Sequence, residues 1–175
     1  MKVTLTFDNG PWPGVTEQVL DTLAGRGLRA TFFVVAGRLD VDGFLSSDDV
    51  RELLDAGMKI GSHGLDHRPW RALGTEELAD QLARARSALE EVVEHPVTEV
   101  SCPFGDYGRG VLRTLRGLGY ERVYTSDGGL ARETSWLQPR NTVRPGPGVL
   151  ERGEGGEPAR IRLLRRAKGV AKRWR

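Results

Sequence analysis

A single cysteine, Cys102, occurs in 175 residues, so no disulfide can form within the chain and no cysteine-rich metal knuckle can be built. Any metal site must draw on oxygen donors and on three histidines, His63, His67 and His95. Long apolar runs are missing as well. None approaches the roughly 18 residues that a bilayer span requires, and 38% hydrophobic with 29% charged residues is the balance of a globular chain. A secretory leader is not recognisable: residues 1–7 enter a strand pattern directly, without a basic start, an apolar stretch or a small-residue cleavage site. The expected location is the cytoplasm. An excess of one charge is absent from the total of +2 but not from its parts. Eight of the 26 Lys and Arg lie in residues 159–175, which hold no acid, leaving 18 basic against 24 acidic residues in 1–158. The body is acidic, and nucleic-acid binding is not expected.

What is present is a strand followed by a helix, repeated within the length of one domain. Residues 2–7 alternate Val3, Leu5 and Phe7 with Thr4 and Thr6, and Asp8-Asn9-Gly10-Pro11 then breaks the chain into a loop. The spacing predicts helices over 15–26, from Ser46 or Ser47 to 56, from a Thr75 cap to 94, and over 111–118. Strands are expected at 30–36, 58–63, 97–102, 120–125 and 136–143; the first of these is apolar on both faces, as a buried parallel strand is. This rhythm implies a parallel sheet with helical crossovers, open or closed into a barrel. The compact domain is expected to cover 1–145. A Gly/Pro-rich linker follows at 146–158, and 159–175 forms a basic amphipathic tail with Leu163, Leu164, Ala167, Val170, Ala171 and Trp174 on one face. Such a tail suits an anionic membrane surface, placing the chain at the inner face of the membrane, or a protein partner.

Polar residues concentrate where strands end, and in a parallel α/β fold those ends share one face, the face on which sites are built. Asp8 and Asn9 follow the first strand, His63 closes the third with His67 four residues on, and Pro103-Phe104-Gly105 follows the fourth. One helical turn would place His63 and His67 side by side, able to share a cation; the alternative is a pair of loop histidines satisfied by backbone and water. Asp8-Asn9 would supply a carboxylate base and an oxygen donor, or else simple turn chemistry.

Thr6 to Pro11, Ala30-Thr31-Phe32-Phe33-Val34, Gly61-Ser62-His63 with His67, and Pro103-Phe104-Gly105 together resemble the NodB-homology polysaccharide deacetylases, carbohydrate esterase family 4, over residues 1–145. The resemblance implies an α/β fold, a distorted (β/α) barrel with fewer than eight units, shortened at its C-terminal end. It also implies metal-assisted hydrolysis of an N-acetyl or O-acetyl group on a carbohydrate or glycoconjugate. By the same resemblance Asp8 is the catalytic base, Asn9, His63 and His67 hold a divalent metal, zinc by default, and the Phe104 N–H receives the oxyanion. Arg140 resembles a late Pro-Arg element of part of the family and would orient Asp8. Pro103 belongs to the substrate face, and Trp12 and Tyr107 are candidate stacking surfaces for a sugar ring, with Trp70 and Trp136 assigned to packing.

Three positions depart from the family pattern. Asn9 replaces a ligand aspartate, Ser101 replaces an arginine two residues before the proline, and no late histidine follows His95. A non-catalytic carbohydrate-binding relic and an amidohydrolase acting on a non-sugar C–N bond are therefore the rival readings. His95 precedes a strand and belongs at the opposite end of the fold, and Cys102 reads as a packed thiol.

Overall fold

The computed structural model describes residues 4–10 and 16–141, and the linker and basic tail lie outside them. Six strands form one parallel sheet in chain order: β1 (Leu5–Asp8), β2 (Ala30–Val34), β3 (Lys59–Ser62), β4 (Glu99–Ser101), β5 (Arg122–Thr125) and β6 (Leu137–Pro139). The register aligns Phe7 with Phe32, Phe32 with Ile60, Val100 with Val123, and Tyr124 with Gln138. Four helices make the crossovers: α1 (Thr16–Ala24), α2 (Ser47–Asp55), α3 (Thr75–Val93) and α4 (Arg109–Gly117). None is long and apolar enough to cross a membrane.

Helix α2 begins where local chemistry provides a cap. Ser46 accepts from the Asp49 N–H at 3.1 Å while the Asp49 carboxylate accepts from the Ser46 N–H at 2.7 Å, a reciprocal capping box. At α3 the cap is Gly74, and Thr75 is the first helical residue rather than the cap. The strands are shorter than the patterns suggested, because pairing stops where the chain leaves the sheet for a short 3₁₀ turn. Two such turns, Ala36–Arg38 after β2 and Pro103–Gly105 after β4, reappear at the site.

Helix α3 ties the molecule together. Its stripe at 78, 82, 85, 89 and 93 follows the helical period. Leu78 and Leu82 pack with Val100, Val111, Leu115 and Val123 in one core cluster, and Ala85, Leu89 and Val93 with Phe32, Val50, Leu53 and Ile60 in the other. Each fully buried leucine contributes roughly 1.5–3 kcal/mol relative to exposure. Residues of β2 alternate as a strand must: Phe32 and Val34 join the helix-side core, while Phe33 turns to the concave side, where its ring centroid lies 4.9 Å from that of Tyr124. A Cβ on Gly61 would come within 2.5 Å of the Phe33 ring, so glycine in β3 makes room for that ring across the sheet.

The sheet curls until its outer strands approach each other. Arg140, directly after β6, donates from Nη1 to Thr6 Oγ1 of β1 at 3.1 Å. This architecture is the distorted (β/α) barrel that the sequence led us to expect.

Candidate active site

Asp8 ends β1 on the concave side, with Thr6 two residues before it on the same face. The Arg140 guanidinium forks onto its carboxylate, Nη1 to Oδ1 at 2.6 Å and Nη2 to Oδ2 at 2.8 Å. Nη2 also donates to Ser101 Oγ at 2.7 Å and Nε to the Thr125 carbonyl at 3.3 Å. The backbone clamps the same residue, because the Arg140 N–H donates to Thr125 O at 3.0 Å and the Gly128 N–H to Arg140 O at 2.9 Å. Burial pulls the Asp8 pKa upward, but the hydrogen bond and charge of Arg140, then His63 and the Ser101 hydroxyl, outweigh it and hold the carboxyl below its usual range. Asp8 is ionised at neutral pH.

His63 follows β3 and is 1% exposed. Its Nδ1 lies 2.9 Å from the Ser101 carbonyl, which can only accept, so Nδ1 carries the proton and Nε2 keeps its lone pair. Nε2 faces Asp8 Oδ2 at 4.0 Å. Burial is the largest cause lowering the His63 pKa to about 4, with His67 and Arg140 acting the same way against the opposing pull of Asp8 and the Ser101 carbonyl. The ring is neutral at pH 7.

The segment carrying His67 is a loop, not the helical turn the spacing suggested; His67 has φ 57°, yet its ring centroid lies 4.9 Å from that of His63. Tertiary bonds replace the helix. The Asp66 carboxylate accepts from Gln81 Nε2 of α3 at 3.0 Å and from the Arg68 N–H at 3.3 Å. The Ala36 and Gly37 N–H groups donate to Gly64 O at 2.9 Å and Leu65 O at 2.8 Å. Burial, then the charge of Arg38, lowers the His67 pKa.

Phe104 completes the rim. It is 66% exposed, has φ 57°, and its ring lies 4.6 Å from that of His67. Its N–H makes no hydrogen bond among the described residues. Gly105 follows at φ 59°, where a Cβ would come within 2.9 Å of Ser126. Among the described residues five non-glycine residues have positive φ, and three of them, Asn9, His67 and Phe104, flank this one site.

Asp8, His63, His67, Phe104 and Arg140 are thus brought together. Asn9 is exposed at φ 70°, makes no side-chain hydrogen bond among the described residues, and lines a small crevice with Arg38 and Leu45. Trp12 lies outside the described residues. Pro103 and Tyr107 are corrected: both are buried. Pro103 shapes the turn, and Tyr107 points into the core, where its hydroxyl donates to Asp127, so neither offers a face to a sugar. Trp70 is buried and Trp136 donates to the Tyr120 carbonyl at 2.7 Å, both packing roles. Sequence reasoning counted Ser101 only as a loss. In the fold its hydroxyl holds Arg140 and its carbonyl holds His63; its place two residues before Pro103, on the inward face, was the available signal.

Among the described residues no group of three His, Cys, Asp or Glu side chains is set to hold a metal. The donors present are two imidazoles and the Asn9 carboxamide, and the Nδ1–H to carbonyl bond of His63 is the arrangement that leaves Nε2 free for a cation. Asp8 Oδ2 and His63 Nε2 are two acceptors facing each other without a proton between them. Two imidazole nitrogens and an amide oxygen are donors that a divalent cation can take.

The model of the polysaccharide deacetylase family matches residues 1–123. The chain belongs to that family. This polysaccharide deacetylase family member is 30% identical over 145 residues to the peptidoglycan-N-acetylglucosamine deacetylase of Bacillus cereus, covering 82% of this chain and 62% of that protein. It is 30% identical over 148 residues to a chitooligosaccharide deacetylase of Sinorhizobium fredii, covering 82% and 61%. The chain therefore spans about three fifths of the length of these curated relatives. The Streptococcus pyogenes deacetylase PplD, solved in complex with acetate, shares the fold with a TM-score of 0.81 over 89% of this chain and 70% of that one, at 19% identity.

Proposed function

We propose that this family member hydrolyses the acetyl group of an N-acetylated or O-acetylated carbohydrate or glycoconjugate. The observation that carries the reading is a carboxylate, Asp8, kept ionised by a forked arginine and aimed at the unprotonated nitrogen of a buried imidazole.

Asp8 is the acceptor for a proton from water placed between it and His63. As the water oxygen attacks the acetyl carbon, that proton passes to Asp8, and the Phe104 N–H donates to the oxygen on which negative charge develops. Protonated Asp8 then returns the proton to the leaving nitrogen or oxygen as its bond to carbon breaks, releasing acetate and a free amine or alcohol. Arg140 makes Asp8 a weak base, too weak to act on plain water of pKa about 15.7. A divalent cation, zinc by default, held by His63, His67 and Asn9 would bring that pKa down toward about 7. His63 serves by staying neutral with its lone pair outward, and His67 by the neutrality that burial and Arg38 impose.

The test is acetate release from acetylated chito-oligosaccharides, with and without chelator. Asp8→Asn should lower kcat by about a thousandfold while the protein still takes up metal. Unchanged turnover in that variant removes Asp8 as the base, and activity indifferent to chelator removes the metal. The neutral Asn9 favours one rival, a carbohydrate-binding relic; sugar binding without acetate release would select it.

A further inference from the structure

Arg38 ends the short turn after β2, and that turn is bonded to the histidine loop through Ala36 to Gly64 at 2.9 Å and Gly37 to Leu65 at 2.8 Å. A Cβ on Gly37 would lie 2.4 Å from the Leu65 carbonyl, so glycine is what allows the two segments to approach and sets Arg38 beside the site. Arg38 and Asn9 line the same crevice. The guanidinium carbon sits 5.0 Å from the centroid of the Phe44 ring, a stacking contact that holds the cation by its face and leaves its edge donors free to turn toward a ligand.

The other charges around the site are compensated. Asp8 is paired with Arg140, Arg71 with Asp106 at 3.3 Å, and Arg68 with Glu77 at 2.9 Å and Asp66 at 3.7 Å. Asp40, two residues beyond Arg38, is taken by the Ser47 N–H at 2.8 Å and hydroxyl at 2.7 Å. The Arg38 guanidinium has no ion pair or hydrogen bond among the described residues. A cation with no anion against it among the described residues thus stands next to a neutral Asn9, and its charge is felt at His67.

We propose that Arg38 forms an anion subsite at the mouth of the site and takes an acidic substituent, carboxylate or phosphate, borne by the acetylated sugar. The inference rests on the deacetylase reading and names the class of substrate that reading leaves open. The guanidinium supplies planar paired donors matched to either group.

The experiment compares kcat/KM for a neutral acetylated chito-oligosaccharide, an acetylated oligosaccharide containing a uronate, and N-acetylglucosamine 1-phosphate. The wild-type chain should prefer one or both acidic substrates by about tenfold at low salt, and the preference should shrink in 0.5 M salt, roughly as screening of an exposed charge demands. The uronate and phosphate arms show which acid fits. Arg38→Gln should lower the ratio of acidic to neutral kcat/KM by about tenfold, whereas Arg38→Lys, which keeps the charge, should retain most of it. A wild-type ratio near one, or a ratio unmoved by Arg38→Gln, overturns the subsite while leaving the deacetylase reading intact. Acetate from none of the three substrates brings down that reading and the subsite with it.

Discussion

Arg140 uses its five donors on five hydrogen bonds, two to Asp8 and one each to Thr6, Ser101 and the Thr125 carbonyl. A lysine keeps the charge but cannot reproduce that fork, so Arg140→Lys should lower kcat/KM by about a hundredfold with the sheet still folded. Arg140→Ala leaves the Asp8 carboxylate partly buried and unpaired. Because Asp8 keeps 30% exposure, the expected loss is about 2 kcal/mol in urea denaturation, below the 3–5 of a fully buried pair. The folded pKa of Asp8 is depressed, so the pair stabilises above the unfolded value of about 3.9 and its contribution fades as pH falls through the folded value. The gap between wild type and Arg140→Ala should accordingly narrow in acid. His63 gives a second residue-scale prediction. In metal-stripped protein its ring nitrogens should report the Nδ1–H tautomer by NMR and should not titrate between pH 7 and 5, since the folded pKa is about 4. The stability this burial of a neutral ring contributes is present above about 6.5 and is lost as pH falls toward about 4. An imidazolium signal at pH 6 would contradict the assignment.

At the scale of elements, the site is assembled by turns that leave the strands rather than by the strands themselves. β3 delivers His63, but His67 depends on the loop that α3 holds through Gln81 and that the turn after β2 holds through Gly37. Gly37→Ala pushes a methyl group against a backbone carbonyl, which has no rotamer by which to escape. The expected result is a fall in activity and metal uptake larger than the loss of stability, which should stay within about 1–3 kcal/mol. Comparable loss of both would mean that the contact is structural only. Helix α2 needed no such tertiary rescue: Ser46 was readable as one of two candidate caps, and its capping box with Asp49 is closed by residues three apart. The histidine pair left two readings open, a helical turn and a loop, for the opposite reason. A spacing of four suits a helix, but bonds from Asp66 to α3 and from the Gly37 turn to Leu65 outweigh one turn of local helix.

At the scale of the whole molecule, the first and last strands are more than 130 residues apart and are joined by side chains of Arg140, Asp8 and Thr6. Removing residues 137–175 takes β6 with Arg140, and should lower the thermal midpoint further than Arg140→Ala does, because pairing with β5 is lost as well. A midpoint equal to that of the point variant would show that β6 adds nothing beyond its arginine. The order of strands and helices, the buried β2 and the three strand-end motifs were legible in the linear chain, because hydrophobic period, caps and breakers are encoded by near neighbours. The same reading named Asp8, His63, His67, Phe104 and Arg140. It could not see that Pro103 and Tyr107 are buried, that Ser101 grips both Arg140 and His63, or that Arg38 stands beside Asn9 with no ion pair among the described residues. Those facts depend on the curl of the sheet, which brings together groups that share no local period, and on burial, which sets their charge.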